Sequence, residues 1–200
     1  MIKIVKAEKH HAPAIARLVM MAMSQECCQN LAGPDHTLAE FEAVMIDLAA
    51  MERSQYSYLN TLVAVDDRGT VIGACVSYDG ARLHELRQAF VWAARRAFGI
   101  DYSKMADEAQ PDELYVDSLA VVPAYRRQGV AGRLLQAVVQ QAAERGVEKV
   151  GLLVDKNNPR AESLYSAQGF VYVGDAAWGG HAMRHLQRRV SAPVGGTTGC

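Results

Sequence analysis

The chain has 200 residues, of which 50% are hydrophobic, so it can bury one sizeable core but leaves little room for two full domains. Its 21 lysines and arginines against 22 acidic residues give a formal net charge of -1, which excludes a global basic field for binding nucleic acid or an anionic membrane. The four cysteines form no C-x-x-C pair and share no ligand spacing with histidines, which argues against a disulfide framework and a structural zinc site.

The first residues, MIKIVKAEKHH, alternate apolar and charged side chains, which predicts a β-strand. They lack the apolar segment and the cleavage site of a signal peptide. No apolar run in the chain approaches the roughly 20 residues that cross a bilayer. We therefore expect a soluble, cytoplasmic protein without a membrane partner.

The next part of the chain predicts two helices, a hairpin and a third helix. Apolar side chains at helical spacing predict amphipathic helices over 12–23 and 37–51. Two β-rich runs within 61–80 flank an Asp-Asp-Arg-Gly turn, which predicts a hairpin. A further helical pattern over 81–98 ends at Gly99, a residue suited to stop a helix.

The second half alternates predicted strands and helices. The predicted elements are a strand at 113–123, a helix at 129–146, a strand at 149–154, a helix capped by Asn158 that ends before Gly169, and strands at 170–173 and 181–186. The inner face of the 129–146 helix is expected to comprise Val130, Leu134, Val138 and Ala142. The order predicts one α/β domain over 1–190 with a mixed sheet flanked by helices, and a disordered small-residue tail at 191–200.

One stretch, VVPAYRRQGVAGRLL, places arginines and a glycine where a strand becomes a helix. A helix N-terminus carries unpaired backbone N–H groups and the positive end of the helix dipole, so this turn is suited to hold an anion such as phosphate. Gly129 has no Cβ to obstruct the anion, and Arg126 and Arg127 add charge. The alternative is a surface turn that happens to contain two arginines. Neither the Walker loop nor the dinucleotide fingerprint occurs.

The strand that precedes this turn changes its alternation phase. Leu114 and Val116 follow one phase, and Leu119 and Val121 follow the other. A β-bulge would produce this slip, and bulges often lie beside functional sites. A strand buried on both faces would show the same pattern.

Two motifs together resemble a known family. YVDSLAVVPAYRRQGVAGRLL followed by NNPRAESLYSAQGF is similar to the acetyl-CoA-binding core of the GNAT superfamily of N-acetyltransferases, over about residues 112–174. The resemblance implies a mostly antiparallel central sheet with a splayed strand pair at the cofactor site, and acetyl-CoA as cosubstrate without a metal. It also implies that backbone of Leu119 and Val121 pairs with pantetheine. The loop that would bind the CoA pyrophosphate comprises Arg126, Arg127, Gln128, Gly129, Val130 and Ala131.

The resemblance further implies the catalytic groups. Tyr165 matches the tyrosine that protonates the CoA sulfur, although helical spacing alone would explain it as an aromatic on the inner face of its helix. Asn158 matches a position near the pantetheine arm, and it is also explained as a helix N-cap. Asp117 is the candidate general base, with Glu113 and Tyr115 as backups, and many relatives use water chains instead. Glu113 is expected to be a solvated carboxylate at the strand end.

The remaining polar residues give weaker indications. The six histidines share no ligand spacing and are interpreted as surface or hydrogen-bonded core residues. Cys27 and Cys28 follow the first helix, where the related fold lines its acceptor pocket, and are interpreted as buried thiols rather than nucleophiles. Residues 80–111 form a helical insert relative to many relatives. This insert is either a lid or acceptor wall, or an extra packed helix with a solvated basic face.

We therefore expect an enzyme that moves an acetyl group from acetyl-CoA to a primary amine, on a small molecule or a protein, by direct attack in a ternary complex. The alternative is a non-catalytic acyl-CoA-binding sensor or interaction module on the same fold. The Tyr165 motif favours the enzyme, because a binding module has no need of that hydroxyl. Nucleic acid is not expected as a partner. The sequence leaves the acceptor, the preferred acyl chain and the oligomeric state open, a homodimer included.

Overall fold

The computed structural model describes residues 1–190, so the predicted tail at 191–200 lies outside the described residues. The strands are β1 (Lys3–Lys6), β2 (Thr61–Val65), β3 (Val71–Asp79), β4 (Leu114–Val121), β5 (Lys149–Asp155), β6 (Val171–Trp178) and β7 (His181–Arg189). The helices are α1 (Ala12–Met23), α2 (Gln25–Ala32), α3 (Leu38–Ala50), α4 (Leu83–Phe98), α5 (Val130–Glu144) and α6 (Pro159–Ala167).

The strands form one seven-stranded sheet in the order β1-β2-β3-β4-β5-β7-β6. Every neighbouring pair is antiparallel except β4 and β5, which are parallel. A parallel pair needs a long crossover, and α5 provides it. The predicted mixed, mostly antiparallel sheet is thus confirmed.

Helices cover both faces of this sheet. On one face, Ile15 of α1, Phe41 of α3 and Phe90 of α4 are buried with Val63 of β2. On the other face, α5 packs on the core formed by alternate strand residues. The four residues predicted for the inner face of α5, Val130, Leu134, Val138 and Ala142, are all buried there. Each central strand contributes side chains to both cores, because successive residues point to opposite faces of the sheet.

A bulge interrupts β4, as the change of phase predicted. Val76 of β3 pairs with Ser118, and Ser77 pairs with Val116, so Asp117 has no partner in the ladder. The residues before the bulge, Leu114 to Val116, are buried on both faces. The bulge therefore accounts for the change of phase at Asp117, and burial on both faces accounts for the apolar residues before it.

The strands β4 and β5 separate at this bulge. They pair only over Leu114–Val116 and Val150–Leu152, and their remaining residues diverge. The predicted splayed strand pair is present. It opens a gap in the middle of the sheet, between β4 and β5.

The prediction of only two helices before the hairpin was wrong, because α2 lies between them. Ser24 begins α2, where its hydroxyl accepts a hydrogen bond from the Cys27 amide, and Gly33 ends it with a φ of 85°. Both Cys27 and Cys28 therefore lie within a helix and are buried. The serine and glycine were the available sequence signals for this short helix.

The expectation of a solvated carboxylate at Glu113 was also wrong. Glu113 is only 1% exposed, and it accepts hydrogen bonds from His185 Nε2 at 2.9 Å, Gln187 Nε2 at 2.8 Å and the Gln110 amide at 3.0 Å. His185 is thus a buried histidine with hydrogen-bond partners, as interpreted. Because the carboxylate is enclosed and points to β7, Glu113 is a structural residue in this fold.

Gly151 of β5 makes room for that carboxylate. A Cβ at Gly151 would lie 1.8 Å from Glu113 Oε2. Gly151→Ala is therefore expected to lower the free energy of unfolding by about 2–3 kcal/mol, measured by urea denaturation. Gly174→Ala is the control, because a Cβ there meets no atom within 4 Å. Equal stability of the two variants would contradict the structural role of the Glu113 cluster.

The insert at 80–111 contains α4 and an irregular segment that leads to β4. Arg82, Arg95 and Arg96 are exposed, but Arg87 is buried, which corrects the expected solvated basic face at that residue. The Arg87 guanidinium donates to the carbonyls of Met105 and Ala106 and pairs with Glu108. The helix therefore fixes the irregular segment through one buried arginine. No helix in the described part of the chain is long and apolar enough to cross a membrane.

Candidate functional site

A cavity of ≈ 460 Å³ occupies the gap between β4 and β5. Its wall comes from both diverging strands, from α1 and α2, from α6 and from the β6–β7 hairpin. The lining residues used below are Tyr56, Glu108, Tyr115, Asp117, Leu119, Asp155, Asn158 and Tyr165. The structure thus brings four predicted site residues, Asp117, Leu119, Asn158 and Tyr165, to one cavity.

Tyr165 lies on α6 and is half-buried. Its ring packs edge-on against Phe170 at a centroid distance of 6.0 Å, while its hydroxyl bonds to no other described residue. Burial, with a smaller contribution from Cys75, raises the pKa of the Tyr165 hydroxyl. The hydroxyl therefore stays protonated and is able to donate a proton into the cavity.

Asp117 is the bulged residue of β4, so its side chain leaves the regular alternation. Its Oδ1 accepts from the Ser118 hydroxyl at 2.8 Å, and its Oδ2 accepts from Gln55 Nε2 at 3.2 Å. Burial raises the pKa of Asp117, and the hydrogen bonds from Ser118 and Gln55 partly oppose that rise. A carboxylate with a raised pKa at a cavity wall is suited to accept a proton.

Glu108 is a second carboxylate at this wall, and it comes from the insert. It is 6% exposed and pairs with Arg87. Burial, followed by the charge of Asp117, raises the pKa of Glu108 to about 7. Through Glu108 the insert contributes to the cavity wall, while α4 itself packs on the helical layer.

The remaining ionisable groups of the cavity are acidic or weakly basic. Asp155 lies at the end of β5 and pairs with His181 at 3.1 Å. The lining set contains no lysine or arginine within residues 1–190. The Cys27 thiol also lines the cavity, and burial raises its pKa, so it is a poor nucleophile.

The open edge of β4 faces the gap after the bulge. The Val122 amide donates to the Ile72 carbonyl of β3 at 2.9 Å. Since successive residues of a strand face opposite edges, the backbone groups of Leu119 and Val121 face away from β3. The Val121 carbonyl accepts from Arg126 Nε at 2.9 Å, and β5 has already diverged from Leu119. The backbone groups of Leu119 and the amide of Val121 thus face the gap, which is the geometry that pairing with an extended ligand requires.

The arginine-glycine turn follows β4 directly and leads into α5. Gly129 is the N-cap residue with a φ of 76°, and a Cβ there would meet no atom within 4 Å. Without a capping side chain, the first amides of α5 are available to an anion. Arg127 also has a positive φ of 60°. All four residues of the turn, from Arg126 to Gly129, are exposed.

The predicted loop residues differ in what their side chains do. The Arg126 guanidinium folds back onto Val121 and Met21. Gln128 donates to the Ala124 carbonyl at 3.1 Å. Val130 is buried in the core, so only its backbone is available. Ala131 is half-buried on the first turn. These residues, with Arg127 and Gly129, lie outside the cavity wall, at the far end of the open β4 edge.

Asn158 has its predicted capping role and also lines the cavity. Its Oδ1 accepts from the Ala161 amide at 3.1 Å and so caps α6. The backup base Tyr115 lines the cavity, whereas Glu113 does not. No group of three or more His, Cys, Asp or Glu residues within residues 1–190 is placed to hold a metal ion.

Sequence reasoning missed Glu108, Arg87 and Tyr78. Arg87 had a signal, because it follows Leu83 by four residues and precedes Phe90 by three, which places it on the inner face of α4. Glu108 lies in an irregular segment where no periodicity assigns a direction to its side chain. By sequence pattern, Tyr78 is an ordinary aromatic residue of a strand. Only the fold shows that its hydroxyl contacts the carboxylates of Glu108 and Asp117.

Comparison with known families gives one match that spans most of the chain. The profile of the "Acetyltransferase (GNAT) family" matches residues 25–170. This range includes the cavity wall from α2 to α6, the open edge of β4 and the turn into α5. Of the described residues, it leaves out the first strand and helix and the final hairpin.

Curated relatives match shorter stretches. The "[Ribosomal protein bS18]-alanine N-acetyltransferase" of Haemophilus ducreyi is 41% identical over 59 residues, which is 30% of this chain and 41% of that protein. The "GCN5-related N-acetyltransferase 6, chloroplastic" of Arabidopsis thaliana is 42% identical over 59 residues, 30% of this chain and 20% of that protein. The matches thus span less than half of the length of these relatives.

Solved structures share the fold over nearly the whole chain. A crystal structure described only as an acetyltransferase is 25% identical, with a TM-score of 0.77, and the match covers 94% of this chain and 100% of that one. An N-acetyltransferase from Staphylococcus aureus Mu50 has a TM-score of 0.78 at 23% identity, covering 92% and 99% of the two chains. The arrangement of strands and helices is therefore that of known acetyltransferase structures.

Proposed function

The chain belongs to the acetyltransferase (GNAT) family, and on that premise we propose that it moves an acetyl group from acetyl-CoA to a primary amine by direct attack in a ternary complex. The observation that carries this proposal is the cavity between β4 and β5. A proton acceptor, Asp117, and a proton donor, Tyr165, lie in the same wall. A pure binding module would need neither group, which favours the enzyme over a sensor.

The cosubstrate fits the groups around the gap. We assign the diphosphate of acetyl-CoA to the backbone amides of the turn from Arg126 to Ala131, because an uncapped helix N-terminus favours negative charge. The pantetheine arm would pair with the open edge of β4 at Leu119 and Val121 and pass Asn158. The thioester would then lie in the cavity, within reach of Tyr165.

The acceptor nitrogen, which is an ammonium group near neutral pH, must lose two of its three protons in turn. Asp117 accepts one proton, which leaves a neutral amine able to attack the thioester carbonyl. As the carbon–nitrogen bond forms and the carbon–sulfur bond breaks, Tyr165 donates its proton to the departing thiolate. The second proton of the nitrogen restores the Tyr165 hydroxyl, so one proton in total is released with the free thiol.

We propose no covalent acetyl-enzyme. The Cys27 thiol is held neutral by its raised pKa, and the Cys28 and Cys75 thiols are buried with pKa values raised by burial to about 12. These unpaired cysteines suit a reducing compartment, and we propose the cytoplasm as the site of the reaction.

The proposal is tested by thiol release from acetyl-CoA with a panel of amines. A peptide with an N-terminal alanine belongs in the panel, because the Haemophilus ducreyi relative is named as an alanine N-acetyltransferase. A lysine-containing peptide with a blocked N-terminus and a polyamine complete it. We expect thiol release only when an amine is present, and an unchanged intact mass of the protein after exposure to acetyl-CoA alone. Acetylation of the protein itself as a kinetically competent intermediate would contradict direct attack.

A further inference from the structure

A tyrosine hydroxyl joins the two carboxylates of the cavity wall. The Tyr78 hydroxyl lies 3.1 Å from Glu108 Oε1 and 3.3 Å from Asp117 Oδ2. A phenol has one proton to donate, so it can donate to only one of these oxygens at a time. The second contact becomes a hydrogen bond only if the other carboxyl group carries a proton and donates it to the Tyr78 oxygen.

The charges around this triad favour one shared proton. Two ionised carboxylates separated by one hydroxyl repel each other in a buried site, which disfavours double ionisation. The facing cation is Arg87, which contacts Glu108 and also Asp107. Asp117 receives only neutral donors, from Gln55 and Ser118.

The tyrosine side chains near the two carboxyl groups carry no charge near neutral pH. Burial raises the pKa values of Tyr56, Tyr78 and Tyr115 well above 10, so these hydroxyls stay protonated near neutral pH. Outside the cavity, Asp107 turns toward His84 and Arg87. Of the three groups that meet at the Tyr78 hydroxyl, the two carboxyl groups are therefore the ones that can lose a proton, because the phenol keeps its own.

We propose that Glu108 and Asp117 share one proton through the Tyr78 hydroxyl, and that this pair binds the acceptor as its ammonium form and takes up its proton. This inference rests on the proposed acyl transfer and names the base and the charge state of the acceptor. The pair with one proton carries a single negative charge, and Arg87 divides its positive charge between Glu108 and Asp107. Among residues 1–190 the cavity lining includes no lysine or arginine, so the pair attracts a cation.

The proton balance of the step is simple. One nitrogen–hydrogen bond of the ammonium breaks and one oxygen–hydrogen bond forms on the ionised member of the pair. Before the next turnover, the doubly protonated pair returns one proton to water through the open cavity. The insert therefore supplies a catalytic carboxylate, Glu108, and Arg87 acts as the positioning residue that fixes it.

The shared proton is measurable without turnover. We expect the infrared spectrum of the free wild-type protein to show the carbonyl stretch of a buried protonated carboxyl group near pH 7, and Glu108→Gln to remove it. Glu85→Gln is the matched control, since Glu85 is exposed on α4, pairs with Arg82 and does not line the cavity. Absence of this band from the wild type, or its persistence in Glu108→Gln, would overturn the shared proton even if acetyl transfer is intact.

The catalytic part is tested by the pH profile of kcat/KM. The singly protonated pair is the form that takes up a proton, so the wild-type rate should fall toward low pH as the pair gains its second proton. Glu108→Gln should lower kcat at least 10-fold and shift this limb, while Glu85→Gln keeps both. An unchanged limb and kcat in Glu108→Gln would overturn the catalytic role.

The two experiments separate the inference from the proposed function. A shared proton in a wild-type protein that transfers no acetyl group to any amine of the panel would count against the acyltransferase, and with it the catalytic role of the pair. Acetyl transfer by a protein without a shared proton would leave the enzyme intact and overturn the inference. Tyr78→Phe should keep a protonated carboxyl group but shift the frequency of its band, because that group loses the Tyr78 oxygen as its acceptor, and an unshifted band would also contradict the sharing.

Discussion

Tyr165→Phe is expected to lower kcat for acetyl transfer about 100-fold, with the affinity for acetyl-CoA changed less than threefold. General acid catalysis is worth about 10²- to 10⁴-fold, and the departing thiolate is the group that needs the proton. The ring of Tyr165 packs against Phe170, so phenylalanine keeps the packing and removes only the hydroxyl. The measurement is the steady-state rate of thiol release with saturating acetyl-CoA, together with calorimetric affinity.

Tyr172→Phe is the matched control for this prediction. The Tyr172 hydroxyl bonds to Asp175 on the exposed face of β6, away from the cavity wall. This control should keep the wild-type kcat. If Tyr165→Phe also keeps it, Tyr165 is not the acid, and the aromatic packing that helical spacing suggested is its whole role.

Gly129→Val is expected to weaken the binding of acetyl-CoA about 100-fold. The φ of 76° at Gly129 lies in the region that favours glycine, and a β-branched residue there is strained by about 1–3 kcal/mol or forces the turn to another conformation. The added side chain would also occupy the open space in which we place the diphosphate. Both effects act on the same backbone amides, and calorimetric titration with acetyl-CoA measures the result.

Gly146→Val separates strain from loss of the binding site. Gly146 follows the C-terminal end of the same helix with a φ of 69°, and its Cβ position is equally open. Both variants should lose similar thermal stability, but only Gly129→Val should lose affinity. Equal affinity in the two variants would mean that the phosphates bind elsewhere.

Local sequence patterns predicted most of the elements that position the site. The α5 inner face at Val130, Leu134, Val138 and Ala142 and the Asn158 cap follow from rules that act within one element, and the structure confirms them. The phase change along β4 also pointed to the bulge at Asp117. Such features depend on neighbours within a few residues, which is why one sequence is enough to predict them.

Contacts between distant segments were not predictable in the same way. Glu113 reads as a solvated strand-end carboxylate, and its burial depends on His185 and Gln187 of β7. Gly151 was the available hint, since a glycine inside a strand often marks close approach of another group. The link from Glu108 to Asp117 runs through Tyr78 on a third segment, and no spacing in the sequence relates these residues.

Calorimetric titration of the wild-type protein with acetyl-CoA tests the central claim most directly, because it needs no knowledge of the acceptor. We expect one molecule bound per chain with a Kd on the order of micromolar, and no comparable binding of ATP, which has phosphates but no pantetheine arm to pair with β4. The absence of acetyl-CoA binding would contradict the assignment of the β4 edge and the α5 N-terminus as a cosubstrate site, and with it the proposed acyl transfer.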